Sequence, residues 1–125
     1  MSLRFHQSKF ALDVAKLINY ITSHGYELTL GELERPSFLQ SVLKKMGKTW
    51  TSNSQHSKKL AIDINLFMGG KYLSSTKAHY YAGKYWESLS PYNVWGGRFK
   101  DGNHYERRHD TTRANRLGGK YARPL

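Results

Sequence analysis

The chain has 125 residues, no cysteine, and 20 Lys and Arg against 9 Asp and Glu, a formal net charge of +11. That length supports one compact domain with its own core, and the lack of cysteine excludes disulfide scaffolds, thiol nucleophiles and Cys-built zinc fingers, leaving His, Asp and Glu for any metal. The charge points to a polyanion (nucleic acid, a cell-wall polymer or an anionic membrane surface), while 14% aromatic residues exclude a disordered charged tail protein.

No apolar run approaches the 18 residues a membrane span needs. Residues 1–21 are broken by Arg4, Lys9, Asp13 and Lys16, so no signal peptide is expected and synthesis is expected to be cytoplasmic. Phe10, Val14, Leu17, Ile18 and Ile21 share one helical face, and Gly25 follows at a C-terminal cap position. Residues 26–30 alternate and read as a strand. Ser37 is placed to cap a second helix with Phe38, Leu39, Val42, Leu43 and Met46 on its buried side. Residues 47–55 are polar and read as a loop. Residues 60–67 are the most strand-like stretch, with Leu60, Ile62, Ile64 and Leu66 on one face and Ala61, Asp63, Asn65 and Phe67 on the other. Gly69-Gly70 predicts a hairpin turn into a short strand at 71–73. Ala78, Tyr81, Tyr85 and Leu89 mark a third helix that stops near Pro91. Residues 94–106 predict a strand, a loop and a last strand around His104. From Arg107 on, six basic residues face one acid, Asp110, which reads as a loosely docked basic tail at 107–125. Helices and strands mix without βαβ alternation, so the fold class is α+β.

Four of the six histidines read as ordinary. His6 and His24 are expected as exposed helix or cap residues, His79 has no acidic neighbour at ligand spacing, and His109 lies in the basic tail. His56 is followed seven positions later by Asp63, a carboxylate interrupting an apolar strand. Such a carboxylate needs a partner, so Asp63 is either a satisfied core residue or, with His56, half of a metal site. Asp101-Gly102-Asn103-His104 offers a third ligand, His104, and an acid three positions before it. Taken alone it also reads as a polar turn before an edge strand.

Taken together, these pieces resemble a known family. Ser54-x-His56, then Ala61-x-Asp63, resembles the Ser-x-His-x-x-Gly-x-Ala-x-Asp signature of the zinc D-Ala-D-Ala carboxypeptidases and L-alanyl-D-glutamate peptidases. Trp95-Gly96-Gly97-x-Phe99-x-Asp101-x-x-His104-Tyr105-Glu106 resembles their second signature, and Gly31-Glu32 with Arg35 is similar to the loop carrying their arginine. The resemblance runs from about Phe10 to Glu106. It implies a hedgehog/DD-peptidase-like fold, a small antiparallel sheet with about three packed helices, as a single zinc peptidase domain over 1–106. It implies Zn²⁺ held by His56, Asp63 and His104, with Asp101 as general base and acid and Arg35 on a substrate carboxylate or oxyanion. Glu106 is expected to support the ligands and Ser54 the His56 loop, while Trp95 and Tyr105 are expected as walls and core. Lys59 stands where the family often has Gly. Because Gly there points to a positive-φ turn that Lys adopts only at some cost, the loop after His56 is expected to take a different path.

The implied activity is hydrolysis of an amide bond in peptidoglycan stem peptides, as an L-alanyl-D-glutamate endopeptidase of the bacteriophage endolysin type acting on the wall after release. A D-Ala-D-Ala carboxypeptidase is the near alternative. The basic tail is expected to favour anionic wall polymers. A nucleic-acid- or wall-binding module without catalysis is the alternative of another class. The third helix offers Lys77, Lys84, Tyr80 and Tyr81 for it but no recognition motif, and it leaves the Asp63 and Asp101/His104 pattern without a use.

Overall fold

The structure, a computed structural model, describes residues 2–31 and 59–109; the second helix expected at 37–46 lies outside them. The first helix, α1 (Leu3–Ser23), starts where the Ser2 hydroxyl accepts the Phe5 N–H at 3.1 Å. It stops at His24, and Gly25 follows at φ 87°, the left-handed turn that glycine permits. Strand β1 (Glu27–Leu30) follows. Strands β2 (Ala61–Met68) and β3 (Lys71–Leu73) form the expected hairpin, with Gly69 and Gly70 both at positive φ as a two-residue turn of this twist requires. A 3-10 turn (Thr76–His79) enters α2 (Tyr80–Ser88). Strand β4 (Asn93–Trp95), a second 3-10 turn (Gly96–Phe99) and β5 (His104–Arg107) complete the described order.

All strand pairs are antiparallel, in the order β1-β2-β5-β4, with β3 on the far end of β2. The alternation in β2 divides the sheet as its sequence predicts. Ile62, Ile64 and Leu66 are buried in one core with Phe10, Leu17 and Ile21 of α1, Ala82 and Trp86 of α2, Trp95 and Tyr105. The Trp86 ring meets Phe10 and Tyr105 edge to face, and its N–H donates to the Glu106 carbonyl at 3.0 Å. Asp63, Asn65 and Phe67 alternate onto the opposite face and are only partly buried. That face carries the candidate site.

Four expectations need correction. Tyr81 is 74% exposed, and the buried side of α2 is Ala82, Gly83, Trp86 and Glu87. His6 is buried, not exposed. Arg107 donates from Nε to its Nδ1 at 3.1 Å, and Tyr92 and His109 pack against its ring. Arg107 does not begin a tail. It ends β5, is buried, pairs with Asn93 and lies over the Tyr92 ring at 4.9 Å, and the Arg108 N–H donates to the Tyr92 carbonyl. Residues 110–125 lie outside the described range.

Lys59 supplies the fourth correction. It adopts φ 59°, so at this residue the chain keeps the left-handed turn that the family's glycine implies, rather than leaving it. A Cβ in that region meets the following carbonyl and costs roughly 1–2 kcal/mol, against roughly 0.5–1 kcal/mol of extra backbone entropy for Gly. Lys59→Gly is therefore expected to stabilise the fold by about 0.5 kcal/mol, measured as a higher urea midpoint at unchanged slope.

A buried pair gives the core an acid limit. His79 is 2% exposed and its Nδ1 lies 2.7 Å from the Tyr105 hydroxyl. Burial lowers its pKa from 6.5 to about 4. Between those values the unfolded chain binds a proton here that the folded chain refuses. This contribution to stability is complete above pH 6.5, is lost as pH falls to about 4, and falls no further below. His79→Gln is expected to flatten the decline of stability across that window; an unchanged slope in a pH series of urea melts would contradict it.

Candidate metal centre

Strand register assembles the site. Asp63 pairs with His104 and Ala61 with Glu106, and cross-strand partners share a face. Asp63, His104 and Glu106 therefore project together from the face opposite the helices. His104 Nδ1 lies 3.2 Å from Asp63 Oδ1, and Nε2 lies 2.7 Å from Glu106 Oε1. Their side chains are 24% (Asp63), 12% (His104) and 5% (Glu106) exposed. The second Glu106 oxygen accepts from Arg108 Nε. Burial alone would lower the His104 pKa, but a carboxylate on each ring nitrogen outweighs it and raises the value to about 10. Burial alone would raise Glu106, but the bonds from His104 and Arg108 hold it below the usual carboxylate range. Without metal, His104 is thus an imidazolium donating to both carboxylates, and a metal ion would have to displace the Nδ1 proton.

The Trp-Gly-Gly segment builds the support for His104. The Trp95 ring lies on Gly83 of α2 and on Gly97, where a Cβ would fall 2.0 Å and 2.3 Å from ring atoms. Its ring N–H donates to the Gly102 carbonyl at 2.7 Å, and its main-chain N–H donates to Glu87 Oε2 at 3.0 Å. Arg98 closes a two-bond fork on Glu87, at 2.7 and 2.8 Å. Gly96 allows the closest approach, since a Cβ there would sit 2.1 Å from the Asp101 carbonyl and 2.8 Å from His104 Cβ. These contacts lock the loop before β5 to α2.

Asp101 is exposed, in the turn three residues before His104. Its N–H donates to the Gly96 carbonyl at 2.8 Å, and its carbonyl accepts the His104 N–H at 3.1 Å. The preceding Lys100 takes φ 64° to make that turn. On the other side of Asp63, the Gly31 N–H donates to the Asp63 carbonyl at 2.7 Å, and a Cβ on Gly31 would press on Asp63 Cβ at 3.0 Å. Of the expected site residues, Asp63 and His104 come together, Glu106 supports His104, and Trp95 and Tyr105 are buried framework. His56, Ser54 and Arg35 lie outside the described residues. Arg108 and the Glu87–Arg98 pair were not anticipated. Arg108 has a local signal, since it continues the His104, Glu106 alternation; Glu87 and Arg98 have none, because their meeting depends on how α2 packs.

The donor set fits a zinc ion. No group of three or more His, Asp or Glu among the described residues is arranged to hold a metal, and the third expected ligand, His56, is not among them. The two candidate ligand atoms among the described residues, His104 Nδ1 and Asp63 Oδ1, stand 3.2 Å apart. Ligands bound at ~2.0–2.1 Å to one tetrahedral ion stand about 3.3 Å apart. A carboxylate on the far ring nitrogen is the usual support of a metal-binding histidine.

The described residues form an α+β domain with this cluster on the open face of its sheet. Over residues 47–107, a stretch that contains both signature motifs, the chain matches the family model described as D-alanyl-D-alanine carboxypeptidase. The fold is similar to the crystal structure of Serratia marcescens L-Ala D-Glu endopeptidase ChiX, at a TM-score of 0.64 and 18% identity, over 76% of this chain and 77% of that one. No curated protein matches the chain by sequence.

Proposed function

We propose that this protein is a zinc-dependent peptidoglycan peptidase that hydrolyses an amide bond of the stem peptide, with the L-alanyl-D-glutamate bond as its target. The observation that carries the reading is the Asp63–His104 pair at 3.2 Å, with Glu106 on the far ring nitrogen, inside a segment of a peptidase family. Asp63, His104 and His56 would hold the ion. Bound there, zinc supplies an acidified water and polarises the scissile carbonyl.

The chain's own residues supply the rest. Asp101 takes the water proton on its carboxylate and returns it to the departing amine. Arg35 offers a planar two-bond fork to a substrate carboxylate or to the developing oxyanion. Asp63 and Glu106 together hold the His104 ring in one orientation. The net charge of +11 draws the protein to the anionic wall and to the carboxylates of stem peptides. That suits an endolysin-type enzyme reaching the wall after release.

A second reading, D-Ala-D-Ala carboxypeptidase activity, is favoured by the description of the matching family. Digestion of purified peptidoglycan with the zinc-loaded protein, followed by mass analysis, separates the two. New N-terminal D-glutamate is the expected product. Release of free D-alanine alone would establish the second reading, and no product from any stem peptide would overturn both.

A further inference from the structure

We propose that Arg108 is a positioning residue for the His104 ring and acts through Glu106. This rests on the metal-site reading above. Arg108 lies just past the family-matched stretch, which ends at residue 107, so the match does not account for it. Its side chain reaches the same face as His104 and Glu106 because the three alternate along the chain. Its main-chain N–H is fixed to the Tyr92 carbonyl at 2.8 Å. Its Nε donates to Glu106 Oε2, while Glu106 Oε1 stands 2.7 Å from His104 Nε2. Phe99 fills the space beside them, with its ring 5.9 Å from the guanidinium carbon and 6.1 Å from the His104 ring.

This arrangement restricts the carboxylate. A Glu side chain gripped at one oxygen turns about its last torsion, which is broad and two-fold. Gripped at both oxygens, it keeps one plane. The His104 ring that donates to it then keeps one tilt, and Nδ1 stays aimed at the side of Asp63. Outer partners of this kind set the affinity of a metal site by orienting its ligands.

The sign of the effect separates this role from simple charge. A guanidinium close to a dication repels it. If Arg108 acted by charge alone, its removal would tighten zinc binding. If it acts by holding Glu106, removal weakens binding, and only while Glu106 is present to be held.

The experiment is competition of the full chain against a chromophoric zinc chelator, for the parent, Arg108→Gln, Arg108→Lys, Glu106→Gln and the double variant Glu106→Gln/Arg108→Gln. Arg108→Gln is expected to weaken zinc binding about 10-fold, and Glu106→Gln by about 10–100-fold. The double variant is expected to be no weaker than Glu106→Gln alone. Arg108→Lys is expected to recover part of the loss, because an ammonium still grips the carboxylate. The ¹⁵N shifts of the His104 ring in the zinc-loaded protein are expected to show one sharp tautomer in the parent and a broadened signal in Arg108→Gln. Arg108→Gln binding zinc as tightly as the parent or more tightly, or losses that simply add in the double variant, would overturn the proposal. A parent that binds no zinc, or a His104→Ala variant that binds it like the parent, would overturn the metal-site reading and this one with it.

Discussion

Replacing Asp101 by Ala is expected to cut turnover of stem peptide by about 10²–10⁴-fold, the usual worth of a positioned acid or base, and to leave the zinc content at the parent's level. The geometry lets the two effects be read apart. Asp101 is held by main-chain bonds, its N–H to the Gly96 carbonyl and its carbonyl to the His104 N–H, and both survive loss of the carboxylate. The proposed ligands Asp63 and His104 meet on paired strands rather than in that turn. Asp101→Asn keeps the shape and removes the basicity, so it is expected to be nearly as inactive. Steady-state hydrolysis beside metal content measures both. Near-normal turnover in either variant would remove Asp101 from the proton-transfer role.

The second large effect is on stability. Arg98→Met is expected to destabilise the fold by about 3–5 kcal/mol, the range found when one partner of a buried ion pair is removed. The side chains of Arg98 and Glu87 are only 5% and 6% exposed. The substitution strips the Glu87 carboxylate of a two-bond fork while Glu87 still holds the Trp95 N–H. Adding Glu87→Gln is expected to recover part of the loss, since an amide oxygen can accept the Trp95 N–H without a buried charge. Urea unfolding of the two single variants and the double variant reads this directly. A loss under 1 kcal/mol for Arg98→Met would mean that the clamp between α2 and the Trp-Gly-Gly segment contributes little.

Much of the framework was legible in local pattern. The alternation at 60–67 placed Ile62, Ile64 and Leu66 in the core and Asp63 on the other face, as the structure has them. The Gly69-Gly70 hairpin and the Gly25 cap follow from backbone needs that few residues other than Gly meet. Asp63 stands out as a carboxylate in an apolar strand, whereas the Asp101-x-x-His104 spacing gains its weight only beside the first signature, as part of the family resemblance.

What escaped the sequence depends on tertiary contact. His6 and Arg107 are 101 positions apart, and no periodicity brings them together. The buried side of α2, Ala82, Gly83, Trp86 and Glu87, depends on how that helix packs and has no clear signal in its sequence. Lys59 shows the limit of reasoning from residue preference. Its left-handed φ is disfavoured, yet the chain adopts it one residue before Leu60, which is fully buried, and burial of the following strand outweighs a local cost of this size.

The measurement that bears most directly on the account is zinc per chain, by elemental mass spectrometry, on the purified protein beside its His56→Ala and His104→Ala variants. One zinc in the parent and far less in both variants is the predicted result, and would tie the ion to the Asp63–His104 pair and to the ligand outside the described residues. A parent that holds no zinc after incubation with Zn²⁺ and removal of excess, or variants that keep the parent's full content, would contradict it.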